Sequence, residues 1–326
     1  MIKSIDGAVF SRMMLSAAAE IDLNKQKVNE LNVFPVPDGD TGTNMSMTLN
    51  AASTELRRAE NVTLTKAADM TASALLRGAR GNSGVILSLL FRGFSKALKG
   101  KLEADGRDFA AALTAGVEAA YKAVMKPAEG TILTVSRLGA QAAVAFAKDS
   151  TDFEGMLDAL LAAAREALAD TQNINPVLRR AGVVDAGGEG FVLVMDAMLG
   201  YLQGRTAAPV TSAAPAAAQA PKEGADFSEF DTGEITFGYC TEFIVARENS
   251  KSPELLRSFL KNLGDCVVVV DDDEIIKVHV HTNVPGEVLT EALTYGPLQT
   301  VKIENMRNQH TALSGKETEA EAAAKA

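Results

Sequence analysis

The chain has no tryptophan, only two cysteines and three histidines, and aromatic residues make up 5% of its 326 residues. Because β-sheets draw on aromatic and β-branched side chains, this composition favours an architecture in which helices predominate. Two cysteines, Cys240 and Cys266, cannot form a disulfide framework, and we interpret them as reduced thiols. Stability must therefore come from hydrophobic cores, and the length is sufficient for two domains.

A basic excess and long apolar runs are also missing. The formal net charge of -10 argues against a nucleic-acid partner, which normally requires a basic surface. No apolar run approaches the roughly 20 residues that span a bilayer. The N-terminal stretch "MIKSIDGAVF" lacks the uninterrupted apolar core of a signal peptide. We expect a cytoplasmic protein with no membrane span.

Two common loops for phosphate and calcium are absent. The P-loop pattern G-x-x-x-x-G-K-S/T occurs nowhere in the sequence. An EF-hand loop that began at Asp38 would need a glutamate at its twelfth position, where Leu49 stands. Any nucleotide or divalent cation must therefore be held in another way.

Helical periodicity covers the first two hundred residues. The stretch from residue 7 to residue 32 places apolar residues at helical spacing. Similar patterns recur near residues 63–78, 84–99, 106–125, 131–147, 154–170 and 188–203. Gly, Pro, Asn and Asp separate these patterns, so the unusual residues cluster where helices begin and end. We predict an all-α domain over residues 1–204.

The composition changes at residues 205–225, where Ala, Pro, Ser and Thr predict a semi-extended linker. Four strand-like stretches follow, "ITFGYCTEFIVAR", "DCVVVVDDD", "IIKVHVHTN" and "LQTVKIEN". Helical patterns near residues 253–263 and 286–295 separate them. These elements predict an α/β domain over residues 226–312. The polar end, residues 313–326, predicts a disordered tail.

Two aspartates lie one residue apart in the stretch "NVFPVPDGDTGTNM". Pro37 restricts the backbone before them and two glycines allow a tight turn, so the loop can direct the carboxylates of Asp38 and Asp40 at one point. Converging carboxylates repel unless a cation lies between them, and Mg²⁺ prefers such oxygen ligands. The alternative is an Asx turn that caps the following helix. The local sequence supports both interpretations equally.

Three further helix starts are candidate anion sites, because free backbone N–H groups and the helix dipole favour negative charge there. Each signal is weak alone, since most helix junctions hold no ligand. The candidates are Asn82, Ser83 and Gly84 in "RGARGNSGVIL", Thr131 in "KPAEGTILTV", and Asp185 and Gly187 in "GVVDAGGEGF".

These stretches, in this order, resemble the nucleotide-binding domain of the dihydroxyacetone kinase L-subunit family. The later stretches "FGYCTEF", "VHVHTNVPGEVL" and "KIENMRNQH" resemble the ATP-binding subunit of bacterial fatty acid kinase. The resemblance implies a helical barrel whose loops bind ATP through two Mg²⁺ ions. It also implies a homodimer in phospholipid synthesis that phosphorylates the carboxylate of a fatty acid, presented by a separate fatty-acid-binding protein, to give acyl phosphate.

The resemblance assigns roles to particular residues. Asp38 and Asp40 match the metal ligands of the family, and a neutral Asn32 stands where its small-molecule kinases carry a third aspartate. Two more departures are Leu89 and Glu189, where relatives often carry glutamine. The matching nucleotide positions are Thr43, Asn44, Asn82, Ser83, Gly84, Thr131, Asp185 and Gly187.

Two arginines precede the helix of "RGARGNSGVIL". Arg77 or Arg80 could stabilise the transferring phosphoryl group or pair with acids on the surface. We assign Arg80 a catalytic role together with the two aspartates.

The second domain contains a candidate zinc set. His279 and His281 lie two residues apart on a predicted strand, so both face one side, and Cys240 lies on another predicted strand. Two imidazoles and a thiolate suit zinc, and the family's middle domain resembles a zinc-bearing module. The alternative is an ordinary strand pair. We interpret His310 as an exposed residue, with a fourth ligand as the alternative, and Cys266 as core packing.

Two other functions remain open. The chain could be an L-type glycerone kinase acting on a small hydroxy-ketone, which leaves the second domain unexplained. It could also be a regulator that binds nucleotide and zinc without catalysis. Fatty acid kinase subunits usually continue into a further domain that engages the lipid-binding partner, so the chain is either shortened or a short form.

Overall fold

A computed structural model describes residues 2–205 and 236–308. Residues 206–225 of the predicted linker and the predicted tail at 313–326 lie outside the described residues, as does His310. The predicted domain boundaries therefore stay predictions. Below, the helical unit is residues 2–205 and the sheet unit is residues 236–308.

The helical unit is built from helices that largely coincide with the predicted patterns. Two three-residue strands that were not predicted, β1 (Ser4–Asp6) and β2 (Glu103–Asp105), pair antiparallel and lead into α1 and α5. The helices are α1 (Gly7–Asn29), α2 (Thr41–Arg58), α3 (Leu64–Gly78), α4 (Gly81–Ala97), α5 (Gly106–Ala123), α6 (Ile132–Asp149), α7 (Phe153–Ile174), α8 (Pro176–Ala181) and α9 (Ala186–Leu202).

Side-chain caps fix where several of these helices begin. Asp6 accepts a hydrogen bond from the Val9 amide at 2.8 Å, and Asp105 accepts one from the Asp108 amide at 2.9 Å. Such caps satisfy amides that have no partner within the helix. Each strand of the short pair therefore ends at an aspartate that caps the helix after it, α1 or α5.

The helices from α1 to α7 each pack against the next, and α9 packs against both α7 and α1. A run of four buried rings crosses the core of this unit. Phe94 stacks on Phe10 with ring centroids 5.7 Å apart and meets Phe109 edge to face at 5.0 Å; Phe109 meets Phe153 at 5.3 Å. These contacts join α1, α4, α5 and α7 in one core.

Helices α4 and α5 cross at two glycines. A Cβ at Gly116 would lie 2.2 Å from the backbone oxygen of Leu90, and one at Gly93 would lie 2.6 Å from the Gly116 Cα. Neither contact can relax by a side-chain rotation, because the obstructing atoms belong to the backbone. The close approach of the two helices therefore requires glycine.

We expect Gly116→Ala to lower the free energy of unfolding by about 1–3 kcal/mol, because overpacking outweighs the roughly 1 kcal/mol that alanine gains over glycine in a helix. Gly286→Ala in α11 (Pro285–Ala292) is the matched control, since a Cβ there meets no atom within 4 Å. Urea denaturation of both variants checks the expectation. Equal stability of the two variants would contradict it.

The sheet unit has four antiparallel strands and two helices, as the alternating sequence pattern predicts. In chain order the elements are β3 (Tyr239–Ala246), α10 (Pro253–Leu260), β4 (Gly264–Asp271), β5 (Ile275–Thr282), α11 and β6 (Leu298–Asn305). The strand order is β4-β5-β3-β6. One face of this sheet packs on α10 and α11 through a separate apolar core.

The other face of the sheet lies against the helical unit. Ile244, Val268, Val270 and Ile275 on this face share one buried core with the helices. An isolated antiparallel bridge joins Val268 to Val124, which follows α5. The sheet therefore covers one end of the helical unit.

Among the helices in the described part of the chain, none is long and apolar enough to cross a bilayer.

Candidate active site

Asn32 organises the loop that carries the paired aspartates. Its side-chain amide donates to the Val36 carbonyl and to Asp38 Oδ1, both at 2.8 Å, and its oxygen accepts from the Thr41 hydroxyl. Asn32 is 3% exposed. The neutral amide at this position therefore orients Asp38 by hydrogen bonding, which a carboxylate could not do as a donor.

Asp40 immediately precedes α2, but its side chain forms no capping hydrogen bond. Instead it interacts with the side chains of Asp38 and Asn44. Burial, then the nearby charge of Asp40, raises the pKa of Asp38 well above its usual range, and burial raises the pKa of Asp40 as well. The two carboxylates are half-buried beside each other. A divalent cation would relieve the repulsion between them, whereas a helix cap requires only one of them.

The start of α4 approaches this loop closely. Gly81 has a φ of +58°, and a Cβ there would lie 2.4 Å from the Asn44 side-chain nitrogen. Glycine is therefore required for both the backbone conformation and the contact. Asn82 and Ser83, the next two residues, line the same narrow cavity as Asp38 and Asp40.

Asp185 holds the starts of two helices at once. Its carboxylate accepts hydrogen bonds from the Ile132 amide of α6 at 2.8 Å and from the Gly188 amide of α9 at 2.7 Å. Burial raises its pKa to about 6, although these two bonds favour the charged form. The double cap draws the predicted nucleotide loops of Thr131 and Gly187 together.

These loops border a second cavity of about 290 Å³. From the helical unit it is lined by Asn82, Ser83, Thr131, Asp185 and Gly187, and from the sheet unit by Asp265, Cys266 and Val268. A lining that combines polar groups with apolar side chains such as Ile86 suits a nucleoside.

Two predicted nucleotide residues lie beside these cavities without lining them. Thr43 is held by Asn29, whose side chain donates to the Thr43 hydroxyl and accepts from its amide, both at 3.0 Å. Gly84 faces Thr48, whose hydroxyl oxygen would lie 2.4 Å from a Cβ at that position. Both residues therefore contact the helices behind the loops.

The prediction of Cys266 as a core residue is wrong. Cys266 is half-buried and lines the larger cavity. It lies in an irregularity of β4 between Asp265 and Val268, with a φ of +49°. The strand pattern "CVVVV" conceals this bulge, which turns the thiol out of the sheet core.

The candidate zinc residues line the cavity of Asp38 and Asp40, which the sequence did not predict. Cys240 pairs with His281 across β3 and β5, so both project from the face that covers the helical unit, together with His279. Candidate ligand atoms of Cys240, His279 and His281 all lie within 4.8 Å of one another. The two candidate metal sets therefore belong to one site between the two units.

The two imidazoles are oriented by carboxylates. His279 Nδ1 lies 2.9 Å from Glu242 Oε1, and His281 Nδ1 lies 3.4 Å from Asp265 Oδ1. When each Nδ1 proton is directed at its carboxylate, each Nε2 atom carries a lone pair. The two Nε2 atoms lie 3.2 Å apart, so their lone pairs converge. Converging lone pairs repel unless a cation lies between them, so the donor set fits a metal ion held by carboxylate-oriented histidines.

The pKa values of the cluster agree with this fit. Burial lowers the pKa of His281, which favours the neutral imidazole that a metal requires. Burial and then the charge of Glu242 raise the pKa of the Cys240 thiol, so a thiolate there needs a cation. Burial opposes ionisation of Glu242, but the hydrogen bond from His279 and the nearby charges of Lys277 and Lys302 prevail and lower the pKa of Glu242 to about 2.

The two arginines flagged in the sequence differ in their contacts. Arg77 forms an ion pair with Glu274, in the turn between β4 and β5, at 2.7 Å between Nη2 and Oε2. Within the described residues, the Arg80 side chain has no ion pair.

Two residues that differ from the family pattern, Leu89 and Glu189, have local partners. Leu89 is buried in the core of the helical unit, and Glu189 pairs with Lys27 at 2.6 Å.

Two parts of the chain match known protein families. Residues 35–200 match the DAK2 domain family, and residues 236–313 match the FakA-like family of fatty acid kinase middle domains. The chain therefore belongs to the DAK2 domain family. It carries, more particularly, the domain order of the FakA-like fatty acid kinase proteins, which confirms the resemblance drawn from the sequence.

Similar proteins of known sequence support this family assignment. Protein YloV of Bacillus subtilis strain 168 is 42% identical over 323 residues, which are 97% of this chain and 58% of that protein. An uncharacterized protein of Staphylococcus epidermidis, SERP0792, is 41% identical over 97% of this chain and 58% of its own length. The chain thus spans somewhat over half the length of these relatives.

A solved structure, the native dihydroxyacetone kinase of C. freundii, is similar with a TM-score of 0.47 and 19% identity, over 60% of this chain and 34% of that chain.

Proposed function

We propose that this chain is the ATP-binding part of a fatty acid kinase. It would transfer the γ-phosphoryl group of ATP to the carboxylate of a fatty acid presented by a separate fatty-acid-binding protein. The observation that carries the proposal is the pair of half-buried carboxylates, Asp38 and Asp40, at the helix starts of a DAK2 domain that the fatty acid kinase middle domain covers.

The residues of the site have distinct parts in this reaction. Asp38 and Asp40 would hold Mg²⁺, which when bound neutralises phosphate charge. Arg80, at the start of α4, would stabilise the transferring phosphoryl group. The larger cavity would take the nucleoside between Thr131, Asp185 and the loop of Asn82.

An acyl acceptor simplifies the chemistry. A carboxylate oxygen attacks the γ-phosphorus, a new P–O bond forms, and the bond to the β,γ-bridging oxygen breaks to release ADP. Because the carboxylate carries no proton at neutral pH, the transfer requires no general base. A hydroxy-ketone acceptor would require one.

Cys240, His279 and His281 would hold zinc, a cation that joins β3 to β5 on the sheet face that covers the phosphate site. The cavity between the units has a volume of only about 30 Å³. A triphosphate with its ions therefore requires the sheet to withdraw, a movement of the kind that often limits turnover.

We further propose that the helical unit closes into a barrel, to which the contact of α1 with both α2 and α9 lends support. The protein would form a homodimer and act in the cytoplasm, in phospholipid synthesis.

A direct assay tests the proposal. The chain is incubated with Mg-ATP and a lipid-loaded fatty-acid-binding protein, and acyl phosphate is trapped with hydroxylamine. We expect ADP and acyl hydroxamate in equal amounts only when the loaded partner is present. ADP formation with dihydroxyacetone alone would support a glycerone kinase, and nucleotide binding without any transfer would support the regulatory alternative.

A further inference from the structure

Lys277 is buried without a counter-ion in contact. It lies in the middle of β5 and is 2% exposed, which places it among the largest fully buried side chains. In the two described segments of the chain, no carboxylate oxygen lies within 4.0 Å of its ammonium nitrogen. Burying an unpaired ammonium is costly, so a lysine at this position requires another explanation.

The strand register directs Lys277 toward the helical unit. Its partners on the adjacent strands are Ile244 and Val270, and both belong to the core shared with the helices. The electrostatic neighbours of Lys277 include Glu242, Arg80 and Lys302. Lys277 therefore lies on the sheet face that covers the active site, with its stem among apolar side chains and two other cations nearby.

The carboxylates of Glu242 and Glu304 on this face each bind another side chain through one oxygen. Glu242 Oε1 binds His279 at 2.9 Å, and Glu304 binds Lys302 at 2.7 Å. The second oxygen of Glu242 has no hydrogen-bond partner, so Lys277 does not reach it. Lys277 therefore has no carboxylate in contact, although Glu242 is its electrostatic neighbour.

Arg80 is the second unpaired cation. It contributes its backbone amide to Thr48 at 3.2 Å, while its guanidinium, unlike that of Arg77, has no ion pair among the described residues. One unpaired cation thus comes from each unit. An anion that bound both would bridge the two units beside Asp38 and Asp40.

We propose that Lys277 and Arg80 form a subsite for the carboxylate of the acceptor. The inference rests on the proposed function and adds that the sheet unit binds substrate directly. An incoming carboxylate meets repulsion from Asp38, Asp40 and the triphosphate, and these two cations offset that repulsion. A charge-assisted hydrogen bond from Lys277 would orient one acceptor oxygen while the other attacks phosphorus.

The test compares Lys277→Met with Lys251→Met in the full chain. Methionine keeps the length of the stem and removes the charge. Lys251 is a lysine of the same unit that pairs with Glu291 and lies over the Tyr295 ring, in the core on the opposite face. With the loaded fatty-acid-binding protein as acceptor, we expect Lys277→Met to lower kcat/KM roughly 10- to 100-fold, as loss of one hydrogen bond to a charged group predicts. Lys251→Met should stay within twofold of wild type.

Two further readouts separate substrate binding from structure. Mg-ATP affinity and the zinc content of Lys277→Met should match wild type. A loss of zinc or of thermal stability that accounts for the whole rate change would overturn the proposal and make Lys277 a counter-ion of Glu242. Weaker Mg-ATP binding with an unchanged acceptor KM would overturn it in favour of a phosphate contact.

Arg80→Met supplies a second variant at a half-buried position, in case Lys277→Met does not fold. If both cations bind one carboxylate, we expect Arg80→Met to raise the acceptor KM as well. An unchanged acceptor KM in Arg80→Met would overturn the shared subsite. A wild-type chain that phosphorylates no carboxylate would instead overturn the proposed function, and the subsite with it, before any variant is compared.

Discussion

We expect the Asp38→Asn, Asp40→Asn double variant to lose Mg-dependent ATP binding and, without metal, to melt at a slightly higher temperature than wild type. The two carboxylates open only onto a narrow cavity; burial raises the pKa of both, and the charge of Asp40 raises the pKa of Asp38 further. Asparagine removes the repulsion and leaves an oxygen that can accept from Asn32. The paired aspartates therefore favour metal-dependent ATP binding but lower the stability of the metal-free protein.

The sign of the pH dependence follows from these shifts. A carboxyl group whose pKa is higher in the folded than in the unfolded chain binds its proton more tightly when folded. Its contribution to stability is then complete below the unfolded pKa and is lost as the pH rises through the folded pKa. The wild-type apo chain should therefore gain more stability on mild acidification than the double variant does, and Mg²⁺ binding should release protons.

Thermal melting from pH 8 down to pH 5.5 and calorimetric titration with ATP, with and without Mg²⁺, check both parts. For a protein of this size, each 1 kcal/mol shifts Tm by roughly 2–4 °C. Asp22→Asn is the matched control, because Asp22 lies on the surface of α1 and pairs with Lys25 at 3.0 Å. A marked drop in the apo Tm of the double variant would show that the aspartates act mainly as structural groups.

Local sequence was sufficient for the elements whose signal lies within the element. Helical spacing predicted the long helices other than α2, and alternation predicted β3 to β6. For α2 the sequence predicted only that a helix follows the loop of Asp38 and Asp40. It missed β1 and β2, since three residues cannot display a period. It also missed α8, although Pro176 at its start and Gly182 at +69° just after its end are typical helix boundaries.

The composition of the site could be predicted better than its assembly. The loop of Asp38 and the pair His279 and His281 were each found from local pattern. Their meeting in one cavity could not be predicted, because Asp38 and Cys240 are separated by a linker whose composition says nothing about orientation. Only the family resemblance bears on such long-range geometry, and it had assigned the histidines to a separate module.

Two residues of the site were missed although a signal for them existed. Glu242 and Lys277 lie at period two from Cys240 and His279, respectively, within strands that are otherwise mainly apolar. A charged residue on the same face as candidate ligands is a natural partner for them. The pattern marks the face, but the choice between solvent and the helical unit requires the tertiary structure.

The second large effect is expected at the cysteine and histidine cluster. We expect His279→Ala, His281→Ala to contain no zinc and to be about 3–5 kcal/mol less stable than zinc-loaded wild type. The double change removes two ligands and leaves Glu242, which is 1% exposed, as a buried carboxylate without its imidazole. Metal analysis after gel filtration and denaturant unfolding give the two measurements.

Glu242→Gln is the informative partner variant. It keeps all three ligands but replaces the carboxylate that orients His279, so we expect zinc to remain bound with an affinity roughly 10–100-fold lower. If Glu242 acted only as a buried charge, the substitution would stabilise the protein and leave zinc affinity unchanged.

Chelation distinguishes the effect of losing zinc from the effect of the histidine substitutions themselves. Removing zinc from wild type with a chelator should lower its Tm toward that of the double histidine variant, and the same treatment of the variant should change nothing. Because the cluster and the aspartate pair line one cavity, zinc-depleted wild type should also bind ATP more weakly in saturating Mg²⁺. Full zinc occupancy in the double variant would show that His279 and His281 are not the zinc ligands. Zinc loss with unchanged ATP binding would show that zinc only stabilises the sheet.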